Sequence, residues 1–427
     1  MWIAITIFTA CYLLIASEKV NKNIVALSGA VFFMLIGFVP QTSAYTHYVD
    51  WNVIFLLIGM MIMTGIIKQT GLFEYLAIFI AKKAKGNPKR ILVFLFFITA
   101  IISALLDNVT TVVMMVPISI LMAVELEISP VPFVITQVLA SNIGGTATLI
   151  GDPPNLMIGS AAHISFMDFI INISGFIFFS MCISVSFIYF FFRQKLVVSN
   201  EKRARIMEFK EKKLIRDKGL LIYSLIIFII FLFLLVMQDF FHLPASTIAL
   251  FAMVLLLWKS QHLSFDNLIS NDVDWSSILF FIGLFIMVGA LIETKFIDLI
   301  SQKILAFTGG NIKMAMLSIL WSSGVASAFL DNIPFVAATI PMIKDIASNL
   351  GVEQTMPLWW ALSLGSCLGG NGTLVGASAN IISAGICKKS NYPISFWTFT
   401  KYGAIITLIN LTMSTIYLLV KHFVFLF

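Results

Sequence analysis

Two short acidic strings, each set inside a long apolar stretch, constrain the fold of this chain more than any other feature. Asp107-Asn108 and Asp331-Asn332 interrupt apolar sequence and lie 224 residues apart (331 − 107). An ionised carboxylate at the centre of a bilayer costs about 2.5–3.5 kcal/mol on insertion scales. A duplicated acid in this setting predicts a paired site for a charged substrate or a coupling ion.

The composition is typical of proteins that cross a membrane many times. Of the 427 residues, 59% are hydrophobic and 11% are charged, whereas about 25% of the residues of a soluble domain are charged. Apolar runs long enough to cross about 30 Å of hydrocarbon recur along the whole chain, and 51–81 and 275–304 are each predicted as a single run. We therefore expect an all-α polytopic membrane protein surrounded by lipid.

The second half of the chain repeats the first. Asp50-Trp51 corresponds to Asp274-Trp275, and Gly59 corresponds to Gly283, at the same spacing of 224 residues (274 − 50). An internal duplication of this length is typical of secondary transporters. The predicted units are repeat 1 over 1–195, a linker over 196–218 and repeat 2 over 219–427.

Each repeat is predicted to hold about five transmembrane helices, one re-entrant hairpin and one helix that is broken near the membrane midplane. An odd number of crossings inverts repeat 2 relative to repeat 1. Most of the 27 Lys and Arg residues then fall on one side, which the positive-inside rule assigns to the cytoplasm. We expect a cell membrane protein with its N-terminus outside and its basic linker in the cytoplasm. The linker is expected to be a solvated connector more than an interfacial helix. The hairpins are predicted at about 91–126 and 312–349, and the broken helices at about 131–163 and 356–387.

Polar strings in apolar surroundings mark the expected site. Two are the hairpin tips, and two more begin at Ser141 and Gly369. Both of these are rich in Gly, and the first runs on through Pro153 and Pro154; Gly and Pro at this density stop helices. Unwound backbone at membrane depth is tolerated only where protein buries it or where it lines a cavity. Such breaks expose carbonyl groups that hold cations and helix N-termini that favour anions, and hard oxygen ligands suit Na⁺ or H⁺.

The predicted ion-binding or substrate-binding residues belong to these strings. They are Asp107, Asn108, Thr110, Asn142, Thr146, Thr148, Asp152, Asn155, Asp331, Asn332, Asn371, Thr373, Ser378 and Asn380. Those predicted as ligands of a sodium ion are Asp107, Asn108, Thr148, Asp331, Asn332 and Thr373.

Structural roles compete with these assignments. Each hairpin Asp is also a good N-cap for the second hairpin arm, and the Asn side chains are able to satisfy interrupted backbone. Asp152 has Ala377 at the corresponding position of repeat 2, so the two sites are not equivalent. Its alternatives are a substrate or proton site and a turn of the loop.

Several function classes find no support in the sequence. The chain contains no nucleophile–base pair, no metal triad and no phosphate-binding loop, which argues against an enzyme and against an ATP-driven pump. The net charge of +6 comes from loops between helices, so it is not a nucleic-acid signal. No cofactor is expected beyond Na⁺ or H⁺ as coupling ions.

The polar strings resemble one known family. Leu106–Thr111 with Asn142–Asn155 is similar to the first-half signature of the arsenite permease and NhaD sodium–proton antiporter family, and Phe329–Phe335 with Cys367–Asn380 is similar to the second. The nearest resemblance is to the pink-eyed-dilution (melanosomal P) protein branch. The resemblance implies the ion-transporter superfamily fold, with a scaffold domain, a transport domain with opposed hairpins, usual homodimerisation and elevator-like movement.

The leading hypothesis is a secondary active transporter that exchanges Na⁺ for H⁺, with Asp107 and Asp331 carrying the ion or proton. A dicarboxylate symporter of this superfamily has Ser-Asn-Thr at each tip, so the acidic tips here argue against Na⁺-coupled organic anion transport. Proton-coupled efflux of arsenite, antimonite or another small solute remains the alternative. A channel is a further, weaker reading.

Overall fold

The protein is built from α-helices joined by short connections. The computed structural model describes residues 1–16, 19–261 and 263–424, and no β-strand occurs within those ranges, which confirms the predicted all-α class. Eight helical segments of this part of the chain are long and apolar enough to cross a bilayer, which confirms the polytopic architecture. We number the helices of nine or more residues in chain order: α1 (Trp2–Ala16), α2 (Lys22–Leu35), α3 (Trp51–Gln69), α4 (Leu72–Lys83), α5 (Pro88–Leu105), α6 (Asn108–Glu125), α7 (Val131–Gly145), α8 (Pro153–Ala162), α9 (Gly175–Phe192), α10 (Asn200–Glu208), α11 (Lys218–Val236), α12 (Ala245–Lys259), α13 (Trp275–Glu293), α14 (Phe296–Phe307), α15 (Ile312–Phe329), α16 (Asn332–Leu350), α17 (Val352–Gly369), α18 (Ser378–Lys389) and α19 (Phe396–Phe423).

The helices form two groups. The scaffold bundle comprises α1–α3 and α11–α13, in which α2 packs against α13 and α3 packs against α12. The hairpin bundle comprises α5–α9 and α15–α19, in which α5 and α6 pack against α7 while α15 and α16 pack against α17. Helices α4 and α14 connect the groups, and each packs against the second arm of its own hairpin.

The repeat seen in the sequence recurs in the packing. Gly283 of α13 lies against the backbone of Ala26 on α2, and Gly59 of α3 lies against the backbone of Ala249 on α12. The two contacts are equivalent, because exchanging repeat 1 with repeat 2 converts one contact into the other. In both contacts, a helix of one repeat packs on a helix of the other repeat. The inverted orientation of the repeats stays a prediction, because it depends on how the helices lie in the bilayer.

The repeated Asp-Trp strings begin the equivalent helices α3 and α13. Asp50 accepts hydrogen bonds from the first turn of α3, and Asp274 accepts one from Ser277 in the first turn of α13. The indole Nε1 of Trp51 donates to the Tyr45 carbonyl at 2.7 Å, as that of Trp275 donates to an equivalent carbonyl at 2.9 Å. The duplicated dipeptide therefore fixes the same helix start twice.

Each range predicted as a hairpin holds two helices with an acid at the turn between them, and the re-entrant path of these helices stays a prediction. The arms α5 and α6 meet at Asp107, whose Oδ1 accepts from the Thr110 backbone N–H at 2.8 Å. The arms α15 and α16 meet at Asp331, whose Oδ1 lies 3.5 Å from the Ile333 backbone nitrogen. Both acids are N-caps of the second arm, so the structural role considered from the sequence is real.

The first broken helix consists of α7 and α8, and residues 146–152 are its unwound part. The Asn155 side-chain amide lies within the break and donates toward the carbonyl groups of Gly145, Thr146 and Thr148 at 3.4, 3.2 and 2.9 Å. The Thr148 hydroxyl donates to the Ala104 carbonyl on the first hairpin. These bonds supply partners for buried backbone that a continuous helix would have satisfied itself.

The second broken helix, α17 and α18, repeats this arrangement over residues 370–377. The Asn380 amide donates to the carbonyl groups of Gly370 and Thr373 at 2.8 and 2.9 Å. The Thr373 hydroxyl donates to the Ala328 carbonyl on the second hairpin. Asn155 and Asn380 are thus equivalent in structure as well as in sequence.

The second halves of the broken helices cross to the other repeat. Helix α8 packs against α16 and α17, and α18 packs against α6 and α7. This exchange brings both breaks and both hairpin tips to one place, which is the centre of the candidate site.

The two long apolar runs predicted as single spans are each two helices. Gly71 separates α3 from α4 with φ +83°, and Lys295 separates α13 from α14 with φ +54°. The runs 51–81 and 275–304 were therefore wrong as single spans, because hydropathy alone does not mark a turn between two apolar helices.

The sequence favours a solvated connector for the linker. In the structure the linker is partly helical and packs on the protein. Helix α10 contacts α4 and α6, and Ile206 is buried there. Glu127, just after the first hairpin, pairs with Lys202 and Arg205 at 2.7 Å each. These two cations hold the pKa of the Glu127 carboxyl below its usual range.

The last part of the linker fills a notch at the start of α4. The Arg216 backbone N–H donates to the Thr70 carbonyl at 2.9 Å. A Cβ added to Gly71 would collide with the Leu214 carbonyl oxygen. Glycine is required there both for its left-handed backbone and for this close approach.

Gly283→Ala should destabilise the scaffold bundle. An added Cβ would lie 2.7 Å from the Ala26 carbonyl carbon, and overpacking of this kind costs about 1–3 kcal/mol. Thermal unfolding of the purified protein in detergent measures the effect. The matched control is Gly175→Ala, where nothing lies within 4 Å of the added Cβ; equal melting temperatures for the two variants would contradict the packing argument.

Asn155→Ala should destabilise the first break. The change removes the donor shared by three buried carbonyl groups, and an unsatisfied buried polar group costs about 1–3 kcal/mol. The same unfolding experiment tests it, with Asn349→Ala on the exposed end of α16 as the control. A melting temperature equal to that of the control would show that the break is stabilised by something else.

Candidate functional site

Asp152 lies where the two hairpin tips meet. Its side chain is only 1% exposed. The Asn108 amide of the first tip lies 3.3 Å from Asp152 Oδ1, and the Asn332 amide of the second tip lies 3.5 Å from Oδ2. One carboxylate therefore receives a donor from each repeat.

The proline residues after Asp152 explain why its carboxylate is available for this role. Asp152 precedes α8, yet its side chain makes no capping hydrogen bond. Pro153 and Pro154 occupy the first positions of α8, and proline has no N–H to donate. The turn role considered from the sequence is thus not a capping role, and the carboxylate turns toward the hairpin tips.

Asn142 joins the two breaks to each other. Its amide donates to Asn371 Oδ1 at 2.8 Å and to Asn380 Oδ1 at 2.9 Å, across the boundary between the repeats. Its own Oδ1 accepts from Asn108 at 3.3 Å. A continuous network of amides therefore runs from Asp152 through the first tip to the second break.

A small cavity of about 60 Å³ separates the two hairpin tips. Its lining contains no Lys or Arg among the described residues, and its acids come from both bundles. Those acids are Asp107, Asp152, Asp272, Asp274 and Asp331. The cavity volume is enough for about four to six water-sized particles, since one such particle needs about 10–15 Å³.

Asp331 carries an ion pair that has no counterpart at Asp107. The Lys22 ammonium of α2 lies 2.6 Å from Asp331 Oδ2 and 3.0 Å from the Ser378 hydroxyl, which itself donates to Oδ2 at 2.8 Å. Within the described residues, no Lys or Arg forms an ion pair with Asp107. Sequence reasoning missed Lys22, because a lysine at the start of a helix reads as one more loop cation.

Larger cavities border the site. A cavity of about 390 Å³ is lined by Lys22, Asp331 and Ser378 and so reaches the second hairpin tip. Another, of about 400 Å³, shares Thr110, Asp272 and Asp274 with the small cavity. A cavity of about 520 Å³, lined by the first turn of α12 and by α8, includes no tip residue.

The other predicted residues take two kinds of position. Thr110 lines the small cavity, together with Asn108, Asn332 and Ser378. The remaining predicted residues lie behind them, where their side chains bond to backbone or to other amides. These are Asn142, Thr146, Thr148, Asn155, Asn371, Thr373 and Asn380.

The donor set fits a hard cation. Residues with carboxylate, amide and hydroxyl oxygens line the cavity, and such ligands suit alkali or alkaline-earth ions and protons. No group of three or more His, Cys, Asp or Glu within the described ranges is close enough to hold a metal ion. The predicted residues Asp107, Asn108, Asp331 and Asn332 line the cavity, whereas the hydroxyls of Thr148 and Thr373 donate to backbone carbonyls.

Proteins described as transporters are among the relatives that match nearly the whole chain. The "Uncharacterized transporter Rv2684" of Mycobacterium tuberculosis is 40% identical over 99% of both chains. The "P protein" of Mus musculus is 29% identical over 99% of this chain and 60% of its own length. The match to the P protein confirms the resemblance of the polar strings.

A solved structure shares the fold at low sequence identity. The YdaH transporter of Alcanivorax borkumensis, whose crystal structure is described as having an unusual topology, superposes with a TM-score of 0.59. The match covers 92% of this chain and 89% of that one at 12% identity, so it speaks for the fold alone.

The family itself is given by a match over most of the sequence. Residues 12–365 match the family described as "Citrate transporter" (CitMHS). With the buried carboxylates between two hairpins and the helices long enough to span a bilayer, the chain belongs to the CitMHS family of the ion-transporter superfamily and is a secondary membrane transporter.

Proposed function

We propose that the protein exchanges Na⁺ for H⁺ across the cell membrane, with Asp107, Asp152 and Asp331 as the carboxylates that hold the ion or the proton. The observation that carries this proposal is Asp152, a buried carboxylate that both hairpin tips approach with an amide donor. A carboxylate placed between two mobile tips is a natural position for an exchangeable positive charge.

The charges around the small cavity favour a cation over an anion. The two nearest lysines are each already paired, Lys22 with Asp331 and Lys68 with Asp272. Asp107, Asp152 and Asp274 then line the cavity without a Lys or Arg ion pair among the described residues, and in their ionised form they place negative charge on its wall. At short range in a medium of low polarity, like charges repel strongly, so an anion would be excluded where Na⁺ or a proton is attracted.

Exchange follows when the same carboxylates alternate between two occupants. A carboxylate removed from water binds a proton more readily, whereas an arriving Na⁺ favours the ionised form. Moving one charge through 100 mV is worth about 2.3 kcal/mol. Either the membrane potential or a proton gradient is therefore able to drive accumulation.

Movement of the hairpin bundle against the scaffold bundle would provide alternating access. Both tips and both breaks belong to the hairpin bundle, while Lys22, Asp272 and Asp274 belong to the scaffold side of the cavity. We extend the proposal to an elevator-type movement within a homodimer, with the N-terminus outside and the basic linker in the cytoplasm.

Transport of a small solute is the second candidate. The family description names citrate, but the cavity of about 60 Å³ holds only a few water-sized particles and its acids repel a carboxylate. Proton-coupled efflux of an uncharged solute of the size of arsenite or antimonite fits the volume better. Citrate would have to stay in the larger cavity beside Lys22.

Replacing the carboxylates tests the exchange. In liposomes with an internal pH indicator, Asp152→Asn, Asp107→Asn and Asp331→Asn should each slow Na⁺-driven proton movement, by about a hundredfold or more if the group carries the proton. Asp266→Asn changes an exposed acid in the connection between α12 and α13. It is the matched control and should leave the rate unchanged.

Two results would contradict the proposal. Asp152→Asn or Asp331→Asn with full exchange would remove the proposed role of that carboxylate. Proton movement in the same liposomes that follows citrate or arsenite and ignores Na⁺ would replace Na⁺/H⁺ exchange by the second candidate.

A further inference from the structure

Lys22 connects the two helix groups at the site itself. It is the first residue of α2 in the scaffold bundle, whereas Asp331 and Ser378 belong to the hairpin bundle. The ammonium, the carboxylate and the hydroxyl form a closed triangle with edges of 2.6, 3.0 and 2.8 Å. This is a direct polar contact between the groups that would have to move past each other.

The surroundings hold the ammonium in this position. The buried ring of Phe280 on α13 lies 5.0 Å from Lys22 Nζ, within the range of a cation–π interaction. The Lys22 side chain is 33% exposed and that of Asp331 is 13% exposed. The ion pair therefore stands at the floor of the larger cavity, between that cavity and the small one that holds Asp152.

The other repeat keeps the carboxylate, as Asp107, and lacks the ammonium, the hydroxyl and the aromatic ring of this arrangement. Ala245 is the first residue of α12, as Lys22 is of α2, and the residues that correspond to Ser378 and Phe280 are Pro153 and Leu56. The duplicated frame would place a cation beside Asp107 by symmetry, and the chain has apolar residues there. The lysine is thus specific to one tip and is not a requirement of the fold.

We propose that Lys22 is a tethered cation that occupies the Asp331 carboxylate in this state and is displaced when a transported cation binds there. This inference rests on the proposed function, because it requires Asp331 to hold the transported ion. Lys22 already lies at hydrogen-bonding distance from Asp331 Oδ2, and two positive charges at one carboxylate repel each other.

Displacement has a mechanical consequence. When Lys22 leaves Asp331, the contact between α2 and the second hairpin is lost, and the hairpin bundle is released from the scaffold bundle at that point. Cation binding and release of the bundle become one event. An empty site would keep the bundle in place, which suppresses movement without a passenger.

The Na⁺ dependence of exchange tests the displacement. Lys22→Met keeps the length of the side chain and removes its charge, so the half-saturating Na⁺ concentration should fall by about tenfold or more, the scale of a charge-assisted hydrogen bond. Lys22→Arg keeps the charge and should stay near the unmodified protein. Lys82→Met removes a lysine that pairs with Glu211 of the linker at 2.7 Å, outside the linings of both cavities, and is the matched control.

A binding measurement without transport completes the test. Na⁺-dependent stabilisation of the purified protein against heat, followed in detergent, should show the same shift to lower Na⁺ in Lys22→Met. If that variant does not fold, Lys22→Gln replaces it in both measurements.

The outcomes separate the two proposals. Normal exchange with an unchanged or raised half-saturating Na⁺ concentration in Lys22→Met overturns the inference and leaves Na⁺/H⁺ exchange standing. No exchange in the unmodified protein, with tighter Na⁺ binding in Lys22→Met, overturns Na⁺/H⁺ exchange and supports the tethered cation. Absence of Na⁺ binding and of exchange in all variants overturns both.

Discussion

Every backbone N–H and C=O inside an apolar bundle needs a hydrogen-bonding partner, and the two interrupted helices of this protein meet that need with side-chain amides. The side-chain amides of Asn155, on α8, and Asn380, on α18, reach into the breaks and bond to the carbonyl groups that the missing helical turns would have satisfied. Because the breaks are stabilised in this way, the chain is able to place Asp152 deep among hydrophobic helices. The site therefore depends first on hydrogen-bond partners for the interrupted backbone and only then on the chemistry of a ligand.

A symmetric frame carries an asymmetric site. The hairpins, the breaks and the crossed scaffold helices occur twice. The residue of repeat 2 that corresponds to Asp152 is Ala377, however, and the one that corresponds to Lys22 is Ala245. One repeat thus supplies the central carboxylate, and the other supplies the tip that the lysine holds. Duplication provided two equivalent positions, and divergence gave them different electrostatic roles.

Much of this architecture was visible in the sequence because it rests on residue types with few alternatives. An Asp-Asn pair in apolar sequence predicts a hairpin tip, and dense Gly, joined by Pro in repeat 1, predicts a break. Helix ends lie at each of these four positions. The turns at Gly71 and Lys295 were not predicted, because apolar sequence continues through them. Lys22 was missed because its meaning comes from α18 and the second hairpin, more than 300 residues away along the chain. The roles of Asp107 and Asp331 as ion carriers remain predictions.

The notch at Gly71 has a consequence for the order of the two repeats. The segment between them is more than a connection, because its Leu214 carbonyl fills space that no other residue at position 71 would leave. The Arg216 N–H is bonded to the end of that same turn. The linker is packed as part of the first repeat, so the two halves of the chain are not interchangeable in order. A permuted chain with its termini in the linker would leave the start of α4 without this packing partner.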